Sequence, residues 1–245
     1  MKRNKFMNGK AYGSIAHLSG SYVAAGDKYV PEGMNRIATI KKRDKHDNII
    51  VQEKLDGSCM GIYKKDNQIY AISRTGYLAI DSPFMFQRRF TDWVHLREDL
   101  WMDMLQNGER LMGEWMAMTH GTRYNLPGLP FMPFDIMKDK ERIPHAEFAW
   151  RIFKYVTVYP PYLVNLGDAI DPLVAYEKMG NGSAGAVDKP EGLVYRIERK
   201  GKIDFLAKWI RPDHQPGKYL VGISDVDKPR WNTWNDPLFP AIEGE

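Results

Sequence analysis

Residues 49–73 are three short apolar segments separated by polar punctuation, and that pattern limits the fold more than any other feature. Ile49–Lys54, Cys59–Lys64 and Gln68–Ser73 each have strand length and strand composition. Lys65-Asp66-Asn67 supplies a hairpin turn between the last two. Arg110–Met116 and Phe131–Met137 read as further strands, as do Gly192–Glu198 and Ile203–Trp209, which are joined by the basic turn Arg199-Lys200-Gly201-Lys202. Between them the period changes. Phe86, Phe90, Trp93, Val94, Leu100, Trp101, Met104 and Leu105 recur at helical spacing across residues 84–105, with Gly108 as the C-cap. An aromatic stripe of this kind is core material. Ala146–Val156 reads as a helix, and Asp168 caps another that runs to about Met179. Residues 1–35 read as loops and short elements, and Gly180–Gly185 as a flexible loop without a phosphate-binding glycine pattern. Strands that outnumber helices and are mostly hairpin-linked imply an α+β fold built on antiparallel sheet.

Composition narrows the class without naming a function. Among 245 residues, 43% are hydrophobic and 27% charged, ordinary for a soluble globular chain. No apolar run reaches the length of a membrane span and no signal-peptide pattern opens the chain, so a cytoplasmic protein with no membrane partner is expected. The single cysteine, Cys59, excludes an internal disulfide and a thiolate zinc cluster, and it reads as a small buried hydrophobe. The net charge of +4 is compatible with a polyanionic partner. The histidines show no metal-ligand spacing.

The chemistry lies at strand ends. Lys54-Leu55-Asp56-Gly57 puts a lysine where an apolar strand stops. Burial there penalises the charged amine and favours the neutral nucleophile. As an isolated tetrapeptide it is equally a polar turn, since the pattern arises by chance in roughly one chain in twenty of this length. Five more polar or aromatic residues stand at comparable places: Arg74, Glu114, Phe134, Glu191 and Lys208. Each alone is a solvated strand end. Together they form a usable set, with cations for phosphates, carboxylates for a metal or a ribose, and an aromatic to stack on a base.

The ordered set resembles the nucleotidyltransferase motifs of the ATP-dependent polynucleotide ligase superfamily, which also contains mRNA capping enzymes, and is most like the RNA ligases of phages and bacteria. Lys54-Leu55-Asp56-Gly57 matches motif I, and Ser73-Arg74-Thr75-Gly76 the S-R-x-G that follows it. Gly113-Glu114 fits motif III, Phe134-Asp135-Ile136 motif IIIa, Glu191-Gly192-Leu193-Val194 motif IV, and Lys208 the first lysine of motif V. The opening segment from Tyr12 to Ser21 resembles the start of phage and bacterial RNA ligase-like proteins less specifically.

The resemblance implies a single nucleotidyltransferase domain over residues 1–245, acting as a monomer, with a motif-bearing core over about 40–211 and a short irregular tail over 212–245. It implies that Lys54 attacks the α-phosphate of ATP to form a lysyl–AMP phosphoramidate. Mg²⁺ is the cofactor, with Mn²⁺ able to substitute. Glu191 serves the metal, Glu114 the ribose, Arg74 the ribose or acceptor phosphate, Phe134 the adenine face and Glu53 its edge. The AMP then passes to a 5′-phosphate end, and a 3′-hydroxyl displaces it. Lowering the Lys54 pKa by three units toward neutrality would require on the order of 4 kcal/mol, expected from burial, Lys208 and a metal together.

Two departures qualify the match. Ile210 stands where motif V has its second lysine, leaving Arg211 as the substitute, although one extra residue turns a strand side chain to the opposite face. Only 37 residues follow Lys208, too few for the appended oligonucleotide-binding barrel of DNA ligases and capping enzymes. RNA ends or a nicked duplex are therefore the expected partner. The alternatives are a DNA or mixed-specificity ligase and a non-catalytic nucleic-acid-binding relative. In the tail, Trp231, Trp234 and Arg230 suit stacking and phosphate contact or simple packing, and packing is the favoured reading.

Overall fold

The computed structural model describes residues 5–155 and 159–242. Two five-stranded sheets dominate it. The first sheet contains β1 (Ala16–His17), β2 (Asp47–Lys54), β8 (Leu163–Gly167), β9 (Gly192–Arg199) and β10 (Lys202–Ile210), in the order β1-β10-β9-β2-β8. The second contains β3 (Ser58–Lys65), β4 (Gln68–Ser73), β5 (Glu109–Trp115), β6 (Phe131–Lys138) and β7 (Glu141–Arg142), in the order β4-β3-β5-β6-β7. All pairings are antiparallel except β1 with β10. The expected α+β fold is what forms. In sequence, the whole second sheet lies between β2 and β8 of the first. Lys54–Gly57 is therefore a crossing from one sheet to the other rather than a hairpin turn.

The continuous apolar run of β2 follows from its place between β9 and β8. Ile49, Ile50 and Val51 are all fully buried, because an interior strand covered on both faces has no solvent side to alternate with. Its face packs with Leu193, Tyr195, Ile197 and Trp209. The larger core sits on the second sheet. There α2 (Met85–His95) and α3 (Glu98–Met104) bring Phe90, Trp93 and Trp101 against Trp115 and Phe131, with the rings of Phe90 and Phe131 centred 5.2 Å apart. The aromatic stripe is core, as its spacing indicates.

Helical ends differ from the expectations in three places, each for a local reason. The stretch over 84–105 is two helices. Arg97 leaves the helical region between them and turns its guanidinium to Asp236, while Trp101 Nε1 donates to Val94 O across the break at 2.9 Å. Gly108 does not cap α3, which ends at Met104 with Leu105 as its cap; with φ +87° it turns the chain into β5 instead. The helix α5 (Pro172–Met179) is capped by Asp171, not Asp168. Pro172 presets the first helical φ, and the Asp171 carboxylate accepts from Leu173 N at 2.9 Å and Val174 N at 3.4 Å. Asp168 instead pairs with Lys42.

The remaining helices are α1 (Glu32–Thr39), inside the segment read as loops, and α4 (His145–Phe153). Val156, where the fourth helix was expected to end, lies outside the described residues. The tail packs on the larger core: Trp231, Trp234 and Phe239 join it, and Asp236 accepts from the buried Trp93 Nε1 at 2.9 Å. Among the described residues no helix is long and apolar enough to cross a membrane.

Candidate active site

The cleft between the sheets opens on a cavity of about 430 Å³ lined from both sides. The first sheet contributes Gln52, Glu53 and Lys54 at the end of β2, Val194 and Arg196 of β9, and Leu206 and Lys208 of β10. The second contributes Ser58 and Cys59 of β3, Ser73 and Arg74 at the end of β4, Glu114 of β5, and Phe134 and Asp135 of β6. Leu206 and Lys208, two apart, share the face of β10 that looks into the cavity. Gly57 allows the crossing to run tight, since a Cβ there would meet Trp115 O at 2.8 Å.

Lys54 is the centre of charge. Its Nζ donates to Glu191 Oε2 at 2.7 Å. Burial pulls the amine down, but the charges of Glu191 and Glu114, together with the bond to Glu191, outweigh it and hold Lys54 above the ordinary lysine value. This reverses the expectation of a depressed amine. Burial acts alone only where no carboxylate is near, and here three surround one ammonium. Burial in turn pushes Glu114 up to about 8 and Glu191 to about 7, each opposed by Lys54. Cys59 pairs with Glu114 across β3 and β5, and burial followed by that carboxylate pushes its thiol well up, leaving it an inert lining group.

Glu53 points into a pocket closed by the glycine loop. Ser183 N donates to Glu53 Oε2 at 3.1 Å, while Oε1 is buried without a partner among the described residues. A Cβ on Gly182 would stand 2.4 Å from the Glu53 carboxyl carbon, so the loop read as flexible is the clasp of this side chain. Burial pushes Glu53 up to about 7 against the pull of the Ser183, Ala184 and Tyr162 backbone.

Phe134 packs edge-on against Tyr12, with ring centres 5.1 Å apart. Asp135 beside it is buried and accepts from Tyr12 OH at 2.7 Å, from Arg142 and from Arg196. Arg74 reaches the amino-terminal segment, donating to Ser14 Oγ at 3.0 Å and Gly13 O at 3.4 Å. Lys208 Nζ donates to Asp27 Oδ2 at 3.2 Å, and the same oxygen lies 2.8 Å from Nε2 of the fully buried His17. The bond from His17, then that from Lys208, holds Asp27 below the usual carboxylate range.

Six of the eight residues singled out from sequence, Lys54, Arg74, Glu114, Phe134, Lys208 and Glu53, line the cavity, and Glu191 reaches it through Lys54. Arg211 does not line it. β10 ends at Ile210, and the guanidinium beyond it donates to Pro190 O at 3.0 Å and pairs with Asp213 at 2.9 Å. Sequence reasoning missed Asp27, His17, His120 and His214. His120 lines the cavity with Nε2 3.2 Å from Ser58 Oγ, and burial holds its imidazole below the ordinary value. Asp56, Glu191 and His214 bring one potential donor atom each within 4.8 Å of one another.

A lysine between carboxylates, an aromatic ring, and cations drawn from two facing sheets thus surround one cavity. The RNA ligase family model matches residues 47–210, the stretch that holds Lys54, Arg74, Glu114, Phe134, Glu191 and Lys208. The chain belongs to the RNA ligase family. No curated protein matches it. Among solved structures, this family member is similar to a Naegleria gruberi RNA ligase with PPi, at 22% identity and a TM-score of 0.54, over 80% of this chain and 58% of that one. A mutant of the Naegleria enzyme with ATP and Mn matches at 20% identity and a TM-score of 0.50, over 82% of this chain and 60% of that one. At such identity the likeness establishes the fold. This chain spans about three-fifths of the length of those relatives.

Proposed function

We propose that this RNA ligase family member uses Lys54 to take AMP from ATP and passes it to an RNA 5′-phosphate, which a 3′-hydroxyl then joins. The observation that carries the reading is Lys54 itself, at the mouth of the inter-sheet cavity and bonded to Glu191 at 2.7 Å. In the first step the Lys54 Nζ–phosphorus bond forms as the bond to pyrophosphate breaks, and the amine must first lose its proton. The ion pair to Glu191 holds that proton on Lys54, so the balance of charge around the lysine must change before it can attack.

Phe134 offers a ring for adenine, and the unpartnered Oε1 of Glu53 offers an acceptor for the adenine amino group. Glu114 serves the ribose. Arg74 and Lys208 supply positive charge for the phosphates and the acceptor end. The carboxyl groups gathered around Lys54 offer oxygen ligands that fit a divalent cation, with Glu191 as a holder. Mg²⁺, or Mn²⁺ in its place, supplies charge against the triphosphate when bound. Arg211 reaches the phosphates only by leaving Pro190 and Asp213. The chain acts as one nucleotidyltransferase domain and as a monomer in the cytoplasm, on RNA ends or nicks.

Incubation with α-labelled ATP and Mg²⁺ tests the first step. Acid-stable label on the wild-type protein and none on Lys54→Ala is the expected result; label on Lys54→Ala overturns it. A panel of nicked duplexes with RNA or DNA on each side of the break then tests the substrate, and sealing of all-DNA nicks as fast as RNA nicks rejects the RNA assignment.

A further inference from the structure

His214 is a buried polar group that the preceding roles leave unused. Its side chain is only 4% exposed, its Nδ1 is buried without a hydrogen-bond partner among the described residues, and its Nε2 faces Asp56 Oδ2 at 3.8 Å, beyond hydrogen-bond reach. A buried imidazole left in this state is destabilising unless something engages it. The neighbouring donors supply a reason. Asp56 and Glu191 each bring a carboxylate oxygen within 4.8 Å of a His214 nitrogen and of one another. Two ligands at about 2.1 Å from one ion stand roughly 3 Å apart when adjacent and about 4.2 Å apart when opposite, so small side-chain shifts close the set.

The backbone holds the three groups together from different parts of the chain. Gly121 N donates to Asp56 Oδ2 at 2.7 Å and fixes that carboxylate. Gly121 has no room for a side chain, since a Cβ would meet Gln215 O at 2.6 Å and both Asp56 Oδ2 and His214 Cε1 at 2.8 Å. Past β10 the chain folds back over the site: Arg211 N donates to Glu191 O and His214 N to Arg211 O, each at 3.1 Å.

We infer that His214, with Asp56 and Glu191, forms a direct site for one divalent cation, and that its nitrogen biases the site toward Mn²⁺ or Co²⁺ over Mg²⁺. The inference rests on the nucleotidyltransferase reading of the cavity for the use of the ion, though not for its binding. Hard Mg²⁺ takes oxygen ligands and keeps its waters, whereas imidazole suits first-row transition ions. A two-carboxylate, one-imidazole set with its remaining positions open is therefore a transition-metal arrangement.

Mn²⁺ alone, added to the full chain without nucleotide, tests this by pulsed electron paramagnetic resonance. The wild-type spectrum should show nitrogen hyperfine coupling, and ¹⁵N-histidine labelling should change it to the ¹⁵N pattern. His214→Gln and His214→Phe should both lose the coupling and weaken Mn²⁺ binding by about tenfold or more, while Mg²⁺, measured by competition, shifts less than about twofold. Two variants of different size guard against misfolding of either one, and the ¹⁵N experiment needs no mutation. Absence of nitrogen coupling in the wild type overturns the inference, as does coupling that survives in His214→Gln. If label passes from ATP to Lys54 while nitrogen coupling is absent, the activity stands and the imidazole ligand is wrong. If the coupling is present but no label appears, the site stands and the activity is wrong.

Discussion

Lys54 Nζ and Glu191 Oε2 stand 2.7 Å apart, although the whole second sheet lies between the two residues in sequence. Glu191 precedes β9, whose first residue, Gly192, pairs with Lys54 at the end of β2. The two strands meet in register, so the ion pair is a consequence of the ladder. A Cβ at Gly192 would lie 2.0 Å from Trp209 O, and only glycine lets β10 lie so close behind the pair. Burial makes the pair consequential: removing one partner of a buried ion pair leaves the other charge uncompensated, at a typical cost of about 3–5 kcal/mol.

Glu191→Gln should therefore lower the Lys54 pKa. The carboxylate now raises it, so the neutral amine is scarcer in the wild type than in an ordinary lysine at the same pH. The rate at which an amine-selective reagent such as trinitrobenzenesulfonate modifies Lys54, resolved by peptide mass, should begin its rise at a pH lower by at least about one unit in the variant. Coincident profiles would show that Glu191 does not hold the proton. Adenylylation is expected to fall in the same variant, because Glu191 is also assigned to the cation.

Glu114 predicts a stability effect of definite sign. Burial raises its carboxyl from 4.5 to about 8, so the folded protein binds a proton there that the unfolded chain has released. Its stabilising contribution is full below about 4.5 and declines as pH climbs through about 8. Glu114→Gln removes the titration. The difference in Tm, variant minus wild type, should become more positive between pH 5 and pH 8.5, by at least about 2 °C, the shift expected from roughly 1 kcal/mol in a chain of this size. A difference that stays flat or falls with pH refutes the assignment.

Legibility in the sequence followed the range over which each signal acts. Lys54, Glu114, Phe134, Glu191 and Lys208 were visible because each falls in or beside a strand within an ordered set, and strands are a local pattern. The charge state of Lys54 was not visible, since it depends on which carboxylates a second sheet brings near. His214 could not be found by ligand spacing, because Asp56 and Glu191 reach it from distant parts of the chain. Asp27 and His17 are near in sequence but sit in a segment whose order comes from tertiary contact, through β1 pairing with β10. The helix α1 was missed because its eight residues make barely two turns, too short a stretch for the spacing of Met34, Ile37 and Ala38 to stand out. One available signal was passed over. Asp171-Pro172 is a stronger helix start than Asp168, because proline at the first position follows its cap directly.

Gly182→Ala tests the clasp on Glu53. Gly182 has φ +66°, a conformation that costs an L-residue roughly 1–2 kcal/mol, and the added methyl would also meet the Glu53 carboxyl group. The variant should melt lower and show a raised KM for ATP in the labelling reaction with a smaller change in kcat, since Glu53 is assigned to the ground-state grip on adenine. An unchanged KM alongside the lowered Tm would leave the loop as scaffold and remove Glu53 from the nucleotide site.

Asp27→Asn tests whether the His17–Asp27 pair positions Lys208. Asp27 Oδ2 receives Lys208 at 3.2 Å and lies 2.8 Å from His17 Nε2, while His17 Nδ1 lies 2.7 Å from Ser21 Oγ. Ser21 Oγ in turn accepts from Ile210 N at 2.9 Å, so this chain of contacts fastens the end of β10 to the amino-terminal segment. Loss of the carboxylate charge frees the lysine to move, and a displacement near 1 Å can slow a positioned reaction by about 100-fold. Single-turnover adenylylation at saturating ATP should slow by roughly 10- to 100-fold in Asp27→Asn. Lys208→Ala should slow it at least as much. The decisive measurement is the double variant. If Asp27 acts through Lys208, adding Asp27→Asn to Lys208→Ala costs little more, whereas independent roles multiply the two losses. A multiplicative result would show that Asp27 serves the fold or another group and that Lys208 finds its position without it.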